Sequence, residues 1–118
     1  MYLFMQADTV ELTFEDTPPP IEDVIELAIR ESGQNILLSE AGALIFARYP
    51  RQPVHYVVEG NRFALTINPG QWPLLRDLIA VALVCKGGIS YENPELNAID
   101  CLHWRTISNL ELGYLRLK

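Results

Sequence analysis

Cys101 and His103 are the residues whose types and spacing come nearest to reactive chemistry. Two apart on a strand, they would share a face, and a thiolate beside an imidazole is a nucleophile–base pairing. On a helix the same spacing turns them about 200° apart and the pairing is lost. Adjacent side chains on one strand face also stand parallel rather than converge. An unreactive cysteine is commonly a buried small hydrophobe, so ordinary packing outweighs catalysis. Cys85, Cys101, His55 and His103 together have the donor types of a zinc site but none of its ligand spacing, and Cys85 falls within an apolar run. No catalytic residue, metal or cofactor is expected.

Carboxylates are the more numerous candidates. Residues 1–40 hold nine acids against one base, a net −8, whereas residues 41–118 hold six acids against eight bases, a net +2. Glu11, Glu15, Asp16, Glu22, Asp23 and Glu26 form the core of this acidic third. Gathered on one surface, they would attract a basic partner and speed its encounter. The plainer reading is a solvated face that keeps the chain soluble. No EF-hand ordering of ligands is present.

Trp72 and Trp104 with Arg76 and Arg105 are of the types enriched at interface centres, although a core tryptophan at a helix start explains Trp72 as well. The chain lacks a phosphate-binding P-loop, a Gly-x-Gly-x-x-Gly fingerprint, a Gly-x-Ser-x-Gly elbow, a Cys-x-x-Cys pair and a His-Glu-x-x-His helix. The overall charge of −6 disfavours nonspecific binding to nucleic-acid phosphates. No apolar run reaches the ~20 residues that a membrane span needs. The apolar start at Met1 lacks a basic flank and meets Asp8 at once, unlike a secretory signal. With two unspaced cysteines, this predicts free thiols in a cytoplasmic protein.

The elements that would position these residues follow from periodicity. Val10, Leu12 and Phe14 alternate with Glu11, Thr13 and Glu15, as on a half-buried strand with an acidic outer face. Residues 2–6 would form a partner strand. Pro18, Pro19 and Pro20 end the strand and preset a helix over about residues 20–32, whose apolar stripe is Ile21, Val24, Ile25, Ala28 and Ile29. Gly33 suits its C-terminus, and Glu26 and Arg30 are spaced to pair along it. Two strands are predicted at 35–38 and 43–49, a loop at 50–53, and a hairpin at 55–67 turning on Gly60 and Asn61. A helix from Pro73 to about Lys86 is apolar on every side and needs cover all round. Either its own chain or a second copy, as a homodimer, would supply that cover. Residues 94–104 suit a helix begun at Asn93 and Pro94, or a strand. Residues 110–117 alternate in two phases joined by a bulge at Gly113 and Tyr114.

The 118 residues therefore predict one α+β domain over 1–118. It would be two-layered, with a mostly antiparallel sheet of about five or six strands on two main helices, one of them nearly fully buried. Residues 32–48 are faintly similar to the helix–glycine–strand–turn–strand entry of secretion and pilus ATPase N-terminal domains. The similarity covers under a fifth of the chain and lacks that family's acid and histidine in the first strand.

The leading functional expectation is a non-enzymatic interaction module (adaptor, regulator or inhibitor). It would present the acidic strand–helix face to a protein partner with a basic surface, without nucleic acid or membrane. One alternative is a small-molecule binder or minor enzyme with an apolar pocket near Cys85, Cys101, His103 and Tyr56. Another is a structural homo-oligomer built on the 73–86 helix.

Overall fold

Five strands form one antiparallel sheet in the computed structural model, which describes residues 8–99. They are β1 (Thr9–Thr13), β2 (Ile36–Leu38), β3 (Leu44–Phe46), β4 (Tyr49–Glu59) and β5 (Arg62–Thr66), in the spatial order β1-β5-β4-β3-β2. Helices α1 (Ile21–Ser32) and α2 (Leu74–Cys85) pack against the sheet, and a short 3-10 helix spans Pro94–Ala98. This is the predicted α+β architecture. The expected strands at 2–6 and 110–117, together with Cys101, His103, Trp104 and Arg105, lie outside the described residues.

One face of the sheet makes the core. Val10 and Leu12 of β1 lie opposite Leu65 and Phe63 of β5, and all four are buried. The other face carries the intervening residues. There Thr9, Glu11 and Thr13 stand opposite Thr66, Ala64 and Arg62, and the Thr9 and Thr66 hydroxyls hydrogen-bond at 3.0 Å. The β4–β5 hairpin turns on Gly60 and Asn61 as the sequence implies, with Gly60 at φ 59°. A two-residue turn of this kind needs the positive φ that glycine supplies. Asn61 also fixes where β1 ends: its carbonyl accepts the Phe14 N–H at 2.8 Å, and its Nδ2 donates to the Phe14 carbonyl at 2.9 Å.

Helix α1 begins behind Pro20, which holds an extended backbone (φ −60°, ψ 147°), and it ends at Gly33. The Gly33 N–H donates to the Ile29 carbonyl at 2.8 Å. Val24, Leu27 and Ala28 are buried on its inner side. Ser32 donates its hydroxyl to the Ala28 carbonyl at 2.6 Å and accepts the Gln34 N–H at 3.1 Å.

Two expected boundaries are corrected. The predicted 43–49 strand is split by a turn at Ala47 and Arg48. The predicted loop at 50–53 is part of β4, which runs through Pro50 and Pro53. Proline is read as a breaker because it removes a ladder donor, but a strand tolerates it at an irregularity. The β3–β4 register shifts between Leu44 and Phe46, so the pairing there is irregular. In the 94–104 segment, residues 94–98 are helical, of the 3-10 type, with Leu96 buried.

Helix α2 is covered by its own chain. Every residue from 74 to 83 is buried, between β1 and β5, α1 and the 3-10 helix. The observation that called for a second copy is thereby removed. Arg76, expected at a contact surface, is fully buried together with Asp77, and its Nε lies 2.9 Å from Asp77 Oδ1. A further correction concerns the thiols. Cys85, exposed at the end of α2, is disulfide-bonded rather than free. No helix among the described residues is long and apolar enough to cross a membrane.

Candidate functional site

Strand direction decides which charges meet. In this sheet β1, β4 and β2 run parallel to one another, each separated from the next by one antiparallel neighbour. Their C-terminal ends therefore lie at the same end of the sheet. Glu15 and Asp16 follow β1, Glu40 follows β2, and Glu59 closes β4. Helix α1 starts from this end as well, with Glu22 and Asp23 in its first turn. All six of these carboxylates are on exposed residues. Acids in a first helical turn also interact favourably with the positive end of the helix dipole.

Glu26 sits one turn further along the exposed side of α1. Together with Asp23, Leu27, Arg30 and Lys86 it lines a shallow cleft of about 130 Å³. The expected pairing of Glu26 with Arg30 is replaced by a contact between Arg30 Nε and Glu31 Oε1 at 3.8 Å.

Glu11 does not join this group. It projects from the sheet face opposite the buried Val10–Leu12 row, and its Oε1 lies 3.8 Å from Arg62 Nε. Of the six predicted site residues, the structure thus brings together Glu15, Asp16, Glu22 and Asp23, with Glu26 beside them, and sets Glu11 apart. Alternation on β1 was legible in the sequence, but not the fact that α1 covers the other side of the sheet from Glu11.

Basic residues mark the opposite end of the sheet. Arg48 occupies the β3–β4 turn, and Tyr49 and Arg51 open β4. Arg48, Tyr49, Pro50, Arg51 and Gln52 surround a surface cavity of about 260 Å³. In the sequence Tyr49, Pro50, Arg51, Gln52 and Pro53 read as a proline-bounded loop with a positive tip, but Arg48 reads as strand, so the shared cavity is not evident.

Of the remaining candidates, Tyr56 stacks on Phe63 with ring centroids 5.6 Å apart. Trp72 packs on Phe46 and Tyr49 at 6.3 Å from each, as a core-edge tryptophan would. His55 is exposed and stands opposite Thr66. Among the described residues, no three His, Cys, Asp or Glu side chains gather where they could hold a metal ion.

No family model matches this chain, and no curated protein or solved structure matches it either.

Proposed function

We propose that this domain is a non-enzymatic interaction module, an adaptor, regulator or inhibitor, that docks its acidic end onto a basic surface of a partner protein. The observation that carries the reading is the convergence of Glu15, Asp16, Glu22 and Asp23 where β1 hands over to α1. Glu26, Glu40 and Glu59 extend the same negative field, and Lys86 offsets part of it in the cleft.

Screening at physiological salt acts over about 8 Å, so neighbouring carboxylates act on an approaching cation as a group. Their main effect is on encounter rate and orientation rather than on final affinity. The same field repels nucleic-acid phosphates, and docking of this kind needs neither cofactor nor metal. Glu11 plays no part in it. Free thiols are one of the two grounds for expecting a cytoplasmic setting, and with Cys85 disulfide-bonded that ground is lost.

The test is a residue-resolved NMR titration with a lysine-rich peptide. Saturable shifts concentrated at residues 15–26, and lost in the E22K/D23K/E26K variant, are expected. Shifts spread evenly over all exposed acids, including Glu92 and Glu95, would contradict the proposal.

A further inference from the structure

The basic cavity at the other end of the sheet has no part in that acidic docking, and it has the composition of an anion site. Acids outnumber bases fifteen to nine in this chain, and two of the four exposed arginines among the described residues contact a carboxylate. Arg30 and Arg62 each contact one at 3.8 Å. Arg48 and Arg51, both exposed, have no carboxylate within 4.0 Å among the described residues. They instead flank one cavity, three residues apart, with Tyr49 between them in sequence. Two like charges lining one cavity repel each other, and an anion bound there would relieve that repulsion.

The backbone carrying these side chains is fixed from several directions. Pro50 and Pro53 limit its freedom. The Gln52 Oε1 accepts the Trp72 N–H at 3.2 Å, and Gln71 Nε2 donates to the Pro53 carbonyl at 2.8 Å. Tyr49 is half-buried, edge-on to Phe46 at 6.4 Å and to Trp72 at 6.3 Å. A site on a braced strand holds its donors more closely than one on a loose loop.

We propose that Arg48 and Arg51 form a binding site for a phosphate monoester. Each guanidinium offers a planar fork of N–H donors that matches phosphate oxygens. Two such cations balance the charge of about −1.5 to −2 that a phosphate monoester carries at neutral pH. At about 260 Å³ the cavity falls below the ~300–1,000 Å³ of pockets that enclose drug-sized ligands, so it would take the phosphate end of a larger molecule. The half-buried Tyr49 ring offers an apolar surface to whatever the phosphate is attached to.

The experiment titrates inorganic phosphate, phenyl phosphate and a phosphoserine peptide separately into the full chain, followed by backbone NMR. Saturable shifts at residues 48–52, removed by R48Q/R51Q with the remaining spectrum unchanged, are expected. A response to both phenyl phosphate and the peptide would show that the monoester group is recognised whatever carries it. A response to one alone would assign the source as a small metabolite or a modified protein. No saturable shift at residues 48–52 with any of the three, or shifts that persist in R48Q/R51Q, would overturn the proposal. The acidic-end variant E22K/D23K/E26K serves as the control, because it should leave these shifts intact.

Discussion

Glu11 and Arg62 face each other at 3.8 Å on the open side of the sheet, separated by the sheet itself from the acids of α1. Both side chains are substantially exposed, and such pairs contribute only about 0–1 kcal/mol. E11Q should therefore shift the urea midpoint very little and leave lysine-rich peptide binding at residues 15–26 unchanged. A loss of peptide binding in E11Q would place Glu11 back within the docking surface.

A different outcome is expected for Arg76 and Asp77, whose side chains are both fully buried and 2.9 Å apart. Removing one partner of a buried ion pair typically costs about 3–5 kcal/mol. Asp77→Ala should destabilise the chain on that scale in urea unfolding. R76M/D77L, which removes both charges, should be less destabilised than D77A alone. Equal losses in the two variants would show that packing around the pair, not its charge, dominates.

These two pairs also show what the residues could reveal in advance. Alternation around Val10, Leu12 and Phe14, the stripe from Ile21 to Ile29, and the Gly60–Asn61 turn are local signals, and each element formed where its periodicity indicated. The burial of α2 was legible for the same reason, since a helix apolar on all sides has no solvent face. Which acids share an end was not legible, because that depends on strand order and on the side of the sheet that α1 takes. The Arg48–Arg51 cavity was hidden by Pro50 and Pro53, which read as a loop but lie within an irregularly paired strand.

Gly88 tests the packing at the acidic end. A Cβ there would lie 2.9 Å from Phe14 Cζ and 3.0 Å from the Leu83 carbonyl oxygen. Overpacking of this kind costs about 1–3 kcal/mol, so Gly88→Ala should lower thermal stability measurably. An unchanged melting temperature would mean that the Phe14 ring moves aside freely.

The Cys85 disulfide predicts that thiol-reactive reagents find no free Cys85 in the denatured, unreduced protein. Reduction, or Cys85→Ser, should cost about 2–4 kcal/mol in urea unfolding, the usual range for a native disulfide. Full labelling of Cys85 without reductant would contradict the bond.

The central claim is that the acids where β1 meets α1 steer a basic partner. The most direct measurement is the stopped-flow association rate with a lysine-rich peptide across a range of salt concentrations, for the natural chain and for E22K/D23K/E26K. A rate that falls steeply with salt in the natural chain, and a slower, nearly salt-independent rate in the variant, are expected. An association rate and salt slope left unchanged by the three reversals would contradict it.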